Sequence, residues 1–562
     1  MLKKKIIDEI TNILGINDSQ VGMENPENES FGDYSTNIAM VMAKKEGKNP
    51  RELALEYKQR FEQDKNLSKI IDKVEVAGPG FINFWLKKDV LVDNLISIDS
   101  KKENYGQSDL FKGKKIIVEF TDPNPFKEFH IGHLYTNTVG ESLSRILEAN
   151  GATLKRANYQ GDVGLHVAKA VWGMMSKIKE EKLTLSELEK RDLEVRVKFM
   201  GESYALGSRA YEEDSVTKEE INSLNKKIFE NDPEIREIYQ KGREWSLEYF
   251  ETIYKRLGTK FDFYYFESKV SEIGSQIVKD NIEKGIFEKS KGAIIFSGSK
   301  YGLHDRVFIN SLGLPTYEAK ELGLAPTKYK EFEYDESIII TANEINEYFK
   351  VLIKAMGMIY PELGDKTKHI GHGVVKLPEG KMSSRTGKIV SGEDLLNQVK
   401  EKASEINKDV AEEVAIGAVK YSFLKVGIGK DIVFDFKESL SLEGNSGPYL
   451  QYTYARIKSV IGKSEKSNFQ DFKIDDIDKS ESILLRTLVR YPEIIEAAGK
   501  SYSPNIIANY LYDLAQKFNA FYNQDKIVGS DNESFRLSLA NGVAQTLQNG
   551  LNLLGIKTPE RM

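Results

Sequence analysis

The stretch that most restricts the fold of this chain runs from Lys115 to Gly151. Lys115-Ile116-Ile117-Val118-Glu119-Phe120 reads as a strand, a short Pro/Asn loop follows, and a helical pattern runs from about Gly132 to Leu147. Asn150-Gly151 then closes the helix with residues that tolerate a left-handed backbone. Strand, tight loop and helix form the opening unit of a nucleotide-binding α/β fold. The helix begins at His130-Ile131-Gly132-His133. A lone histidine on an apolar face is ordinarily structural. Two imidazoles at a helix start are different, because they and the free backbone N–H groups converge on one anion. Gly132 permits close approach, and the helix dipole favours negative charge. Such a site suits charge that develops on phosphates during a reaction.

The length of 562 residues exceeds one core, and at ~150 residues per domain it suggests roughly three or four units. Residues 1–105 read as a small α/β domain with a helical start (Ile6, Ile7, Ile10, Ile13, Leu14) and a strand at Phe81–Leu86. Residues 106–440 read as a Rossmann-type parallel-sheet domain, interrupted near 175–270 by a charged, mostly helical insertion and resuming with strands such as Ser337–Thr341. Residues 441–562 read as a C-terminal helical bundle, in which Leu537, Leu539, Val543, Leu547, Leu551 and Leu554 mostly suit one helical face. The fold class is thus multidomain α/β plus α.

The chain has no cysteine, which removes disulfides, thiolate nucleophiles and cysteine-ligated zinc, and fits a reducing compartment. No apolar run nears the ~20 residues of a membrane span, and no export signal is read at the basic start. A net charge of −6 means that any nucleic-acid contact comes from local basic patches.

A second motif lies far along the chain, Gly380-Lys381-Met382-Ser383-Ser384-Arg385-Thr386-Gly387-Lys388. Alone it is a solvated basic turn. Paired with the histidine motif it resembles the signature pair of class I aminoacyl-tRNA synthetases. Val118-Glu119-Phe120-Thr121-Asp122-Pro123-Asn124, Asn158-Tyr159-Gln160-Gly161-Asp162-Val163-Gly164, Thr316-Tyr317-Glu318-Ala319-Lys320-Glu321-Leu322, Gly447–Arg456 and the terminus Gly555–Met562 narrow the resemblance to the arginyl-tRNA synthetases.

That resemblance implies ATP-dependent attachment of L-arginine to tRNA(Arg) through an arginyl-adenylate, with activation that needs bound tRNA. It implies a catalytic group of His130, His133, Lys127 and Lys381. ATP contacts would come from His130, Gly132, His133, His369, Gly371, His372, Gly373, Lys381, Met382 and Ser383. The family's basic loop often has a second lysine where this chain has Ser384, and Lys127, three residues before His130, is expected to compensate. Arginine would be held by Glu119, Asn124, Tyr317 and Glu321, with Glu344 aligned to the family's pocket glutamine. Glu321 stands where the family commonly has Asp, one methylene shorter. A planar guanidinium wants a bidentate carboxylate, and a charge inside an apolar strand, as at Glu119, is seldom tolerated unpaired. Residues 1–105 would touch the tRNA elbow through Phe81 and Asn83. Residues 441–562 would read the anticodon through Tyr449, Tyr452, Phe521, Tyr522 and Met562, although an aromatic stripe on a helix is more often core. Magnesium (Mg2+) is expected only with ATP, no structural metal is expected, no membrane partner is implied, and the chain is expected to be a monomer in the cytoplasm.

Overall fold

The computed structural model describes all residues except 27, 377–390 and 465–476. The N-terminal unit carries a four-stranded antiparallel sheet made of β1 (Met23–Glu24), β2 (Tyr34–Thr36), β3 (Ile71–Ala77) and β4 (Phe81–Leu86), in the order β1-β2-β4-β3. Helices Leu2–Leu14, Ile38–Glu46 and Pro50–Gln63 belong to the same unit, and Asn49 caps the last of them before Pro50. The helix Lys88–Lys101 departs from the expected grouping at 1–105. It packs instead on the C-terminal helices Lys479–Val489 and Glu533–Leu553.

The central unit holds β5 (Lys115–Glu119), β6 (Thr153–Gln160) and β7 (Phe263–Phe266). A small antiparallel sheet follows, formed by β8 (Glu288–Ser290), β9 (Ala293–Phe296) and β10 (Arg306–Ile309). Then come β11 (Glu336–Ala342) and β12 (Thr367–His372), and finally β13 (Val375–Lys376), which pairs with β14 (Ile432–Val433). The main sheet has the order β12-β11-β5-β6-β7 and every pairing in it is parallel. A parallel sheet covered on both faces needs apolar residues at successive positions. Ile116, Ile117 and Val118, and Ile338, Ile339 and Ile340, are all buried. The chain runs outward from β5 to β7 on one side, then returns to β11 and β12 on the other. The order reverses between β5 and β11, and ligands of such folds bind beyond the strand ends at that point.

The helix Ile131–Ala149 links β5 to β6. The insertion is helical from Leu165 to Leu257, in five helices. It is shorter than the expected 175–270 at its far end, because β7 lies inside that range. Phe263-Tyr264-Tyr265-Phe266 pairs with β6, and its aromatic run sits beside a charged tract that masks it in the sequence. The C-terminal bundle comprises Gly447–Ile461, Lys479–Val489, Tyr491–Ser501, Pro504–Gln524 and Glu533–Leu553, and all six residues of the expected apolar stripe are buried. Two side chains clamp the first unit onto it. Tyr34 donates to Glu493 at 2.6 Å, and Arg486 pairs with Asp33. Lys420, buried in the helix Ala411–Leu424, donates to the carbonyls of Leu257 (2.7 Å) and Gly555 (2.8 Å), which ties the central unit to the C-terminal tail. Among the described residues no helix is long and apolar enough to cross a membrane.

Candidate active site

The loop leaving β5 is bent into a shape that ordinary residues resist. Thr121 has φ 81°, Asp122 φ 47° and Phe126 φ 67°. Such positions cost about 1–3 kcal/mol each and persist only where their surroundings over-determine them. Here Asn137 donates to the Thr121 hydroxyl at 3.0 Å, Asp122 Oδ1 accepts from the Tyr159 N–H at 2.7 Å, and the Phe126 N–H donates to Ser246 at 2.8 Å. The bend separates two groups of side chains.

On one side is a buried acidic hollow. Glu119, at the end of β5, is 1% exposed, and its Oε2 accepts from Lys328 Nζ at 2.7 Å. Glu321, in the helix Tyr317–Glu331, is buried. Burial, and then the nearby Glu119, hold its carboxyl well above the usual carboxylate range, with Lys328 acting in the other direction. Burial and Glu119 do the same to Asp122. Glu267 is paired with Lys320, and burial nonetheless pushes it up to about 7. Asn124 reaches across the hollow: a Cβ on Gly161 would lie 2.3 Å from its Oδ1 and 3.4 Å from the Glu267 carboxyl carbon. Tyr317 stands at the helix start, 54% exposed, with Lys320 Nζ 4.4 Å from its ring centroid. Glu344 is placed differently from the expectation. It lies exposed on the short turn Asn343–Ile345 after β11, whereas the other acidic candidates are buried.

On the other side is a histidine ledge. His130 caps the helix Ile131–Ala149. Its Nδ1 accepts from the His133 N–H and His133 Nδ1 accepts from the His130 N–H, both at 3.3 Å. The rings stack with centroids 3.5 Å apart. A side chain on Gly132 would press on this stack, its Cβ 2.9 Å from two atoms of the His130 ring. Burial lowers His130 to about 4, helped by the charge of Lys127, and pushes His133 well down. Both rings are therefore neutral near pH 7. Lys127 is half-buried, its Nζ 5.2 Å from the Tyr204 ring centroid in the insertion.

The end of β12 completes the ledge. His372 Nδ1 lies 2.6 Å from the Gly373 carbonyl and Nε2 lies 2.7 Å from Thr136 Oγ1. A carbonyl only accepts, so a neutral His372 carries its proton on Nδ1 and turns an unprotonated Nε2 to the Thr136 hydroxyl, whose one proton is shared with the Gly132 carbonyl at 2.9 Å. Burial lowers His372, and likewise His369, to about 4. His369 stacks on Phe349 at 4.0 Å and bonds to Thr341 at 2.7 Å. Gly371 passes so close to Asn346 that a Cβ would meet its Oδ1 at 2.1 Å, and the Gly373 N–H donates to Ile428 at 2.8 Å. Lys381, Met382, Ser383, Ser384 and Arg385 lie outside the described residues. The chain on their far side returns to the ledge: Ser391 bridges His130, and the Gly392 N–H donates to the Phe129 carbonyl at 2.7 Å.

Of the expected RNA contacts, Phe81 opens β4 and is 40% exposed, while Asn83, two residues on and on the same sheet face, is 3% exposed. Its amide oxygen accepts from Ser35, its register partner on β2, at 2.7 Å, so that oxygen is engaged within the sheet. Phe521 is likewise placed inside the bundle at 1% exposure, as the stripe of a helix with neighbours on that face must be. Tyr449 is mostly buried, its hydroxyl accepting from Asn519 at 2.9 Å. Tyr452 and Tyr522 are half-buried and flank the Arg456 guanidinium at 4.8 and 5.3 Å. Met562 is half-buried against the bundle.

Sequence reasoning does not single out Asp122, Glu267, Lys320 or Lys328. The first is visible as a polar residue in the post-strand loop. The two lysines sit in a helix whose ordinary composition gives no sign that they are buried.

Comparison with known proteins follows this division. Residues 1–86 match the arginyl tRNA synthetase N terminal domain, residues 94–436 the class I (R) tRNA synthetase catalytic domain, and residues 450–562 the DALR anticodon binding domain. The chain is similar to an arginine–tRNA ligase of Treponema denticola, 32% identical over 97% of this chain and 95% of that one. It is similar to one of Clostridium kluyveri at 31%, over 100% and 98%. In three dimensions it resembles the arginyl-tRNA synthetases of Thermus thermophilus (TM-score 0.80, 23% identity, all of both chains) and Plasmodium falciparum (0.79, 22%, 100% of this chain and 98% of that one).

Proposed function

The chain belongs to the arginyl-tRNA synthetase family, and from that premise we propose how the two halves of its site share one reaction. It attaches L-arginine to tRNA at the expense of ATP. The arginine guanidinium enters the acidic hollow, where Glu321 and Glu119 supply carboxylate oxygens and the Tyr317 ring covers the entrance. Asn124 takes the α-ammonium end. ATP lies along the ledge, with its adenine against the backbone of His369–Gly373 and its phosphates over His130, Gly132 and His133. Magnesium arrives with ATP and is held by phosphates and water.

A carboxylate oxygen of arginine attacks the α-phosphorus, and the bond from that phosphorus to the β-phosphate oxygen breaks. Arginyl-adenylate and pyrophosphate result. The terminal ribose hydroxyl of tRNA(Arg) then attacks the arginyl carbonyl and displaces AMP. The chain supplies no covalent nucleophile. Its work is positioning and stabilisation of phosphate charge by neutral donors and by Lys127 and Lys381. The tRNA would meet Phe81 at its elbow and Tyr452, Tyr522 and Met562 at its anticodon. The enzyme acts as a monomer in the cytoplasm.

One observation carries this reading: a carboxylate pair buried beside a helix start capped by two stacked histidines. ATP–pyrophosphate exchange with each amino acid, with and without tRNA, tests it. Exchange is expected with arginine alone among them and only when tRNA is present. Exchange with another amino acid, or arginine exchange without tRNA, would remove the corresponding part.

A further inference from the structure

We propose that Lys328 is a positioning residue that holds Glu119 in place and places a fixed positive charge among the carboxylates of the acidic hollow, which favours the carboxylate form of Glu321 that a guanidinium needs. The inference rests on the reading of the hollow as the arginine pocket. Lys328 lies two turns beyond Glu321 on the same face of the same helix. It is 2% exposed, and its ammonium spans three elements, donating to Glu119 on β5 at 2.7 Å and to Ser337 on β11 at 3.2 Å.

The charges around it explain why it matters. Four carboxylates face the hollow: Glu119 from β5, Asp122 from the bent loop, Glu267 from the helix Glu267–Asp280 and Glu321 from Lys328's own helix. Lys320 is committed to Glu267. The remaining three feel the charge of Lys328, with a smaller influence of Lys320 on Glu321, and Tyr334 also favours the charged ammonium. Burial works against the ammonium, but Glu119, Tyr334 and Glu321 outweigh burial and hold Lys328 above the ordinary lysine value. It therefore stays charged from pH 6.5 to 9.

Burial and Glu119 already raise Glu321, and without the Lys328 charge that opposes them it holds its proton still more firmly. A protonated Glu321 would present a donor to a guanidinium that has only donors. Arginine binding would then weaken near neutral pH and recover as alkaline pH removes the proton. A merely space-filling role for Lys328 predicts no such recovery.

The test uses the full chain with tRNA in arginine-dependent pyrophosphate exchange, from pH 6.5 to 9. Lys328→Met is expected to raise KM for arginine about tenfold or more at pH 7, a loss of roughly 1.4 kcal/mol, with kcat within about threefold. The KM is expected to fall back toward wild type by pH 9, while Lys328→Arg stays close to wild type across the range. An unchanged KM, or one raised equally at every pH, overturns the inference. If the Met variant melts below the assay temperature, Lys328→Gln decides the matter on the same readout. Wild-type enzyme that fails to exchange with arginine would sink the pocket reading instead, so the two failures are distinguishable.

Discussion

The acidic hollow and the histidine ledge share one bent loop, yet they treat charge in opposite ways. The hollow keeps standing carboxylates out of water and secures them with internal ammonium groups, Lys328 on Glu119 and Lys320 on Glu267. The ledge holds its four imidazoles below their ordinary value, neutral at working pH, and stacks two of them at 3.5 Å. The difference follows the ligands. A guanidinium carries its charge from the start, so a preset countercharge can recognise it. Phosphate charge shifts only as the α-phosphorus is attacked. Aligned neutral donors respond to that shift without binding the ground state too tightly.

The sharpest way to break this contrast is to remove a standing charge. Glu321→Gln keeps the shape but leaves a donor facing a donor. The expected loss in kcat/KM for arginine is about 10³-fold or more, since sites built around a substrate's hydrogen bonds discriminate on the order of 10⁴-fold. On the ledge, His133→Ala removes both a ring and half of the reciprocal cap. It should lower kcat about 10²–10³-fold while KM for arginine stays within about threefold. Steady-state exchange kinetics separate the two. A Glu321 variant that loses only kcat would mean that the hollow does not bind the amino acid.

Why some of this is legible in the sequence and some is not comes down to range. His130-Ile131-Gly132-His133 announces itself because its residues act together within one helical turn. The strand ahead of it and the Asn150-Gly151 stop are local signals of the same kind, and Phe81–Leu86 shows itself by alternation and turn chemistry. The ion pair from Glu119 to Lys328 spans 209 positions, and no periodicity encodes it. β7 is hidden because a four-residue strand in a charged neighbourhood carries little pattern of its own. Asn83 and Phe521 show the same limit at single residues. Their types suit RNA, but how deeply each is covered is decided by neighbours on other elements.

Lys127 offers a smaller effect on the ledge. Its Nζ rests near the Tyr204 ring, 5.2 Å from the centroid, and lies close enough to His130 and His133 to help lower both. If it supplies the phosphate charge that Ser384 cannot, Lys127→Ala should cut pyrophosphate exchange about 10–100-fold, in the range of one lost charged contact. Near-normal exchange would return that role to the 381–385 loop alone.

The smallest effect is on stability, and there the two halves should slope in opposite directions with pH. Glu267 in the hollow titrates near 7, above the ordinary 4.5 of the unfolded chain. The folded state thus holds a proton that the unfolded state releases, so this contribution is full below pH 4.5 and lost as pH rises through 7. His372 on the ledge titrates near 4, below the ordinary 6.5. Its contribution is full above pH 6.5 and lost as pH falls through 4. Each amounts to a few kcal/mol at most, because a tenfold change in proton affinity is worth about 1.4 kcal/mol. Between pH 4.5 and 6.5 the slopes partly cancel in the wild-type chain. Glu267→Gln should therefore leave a melting temperature that climbs more steeply with pH across that window, and His372→Phe one that climbs less steeply. Parallel curves for the two variants would show that neither group's burial differs enough between folded and unfolded states to matter. The contrast between a charged hollow and a neutral ledge would then survive only in the chemistry and not in the fold.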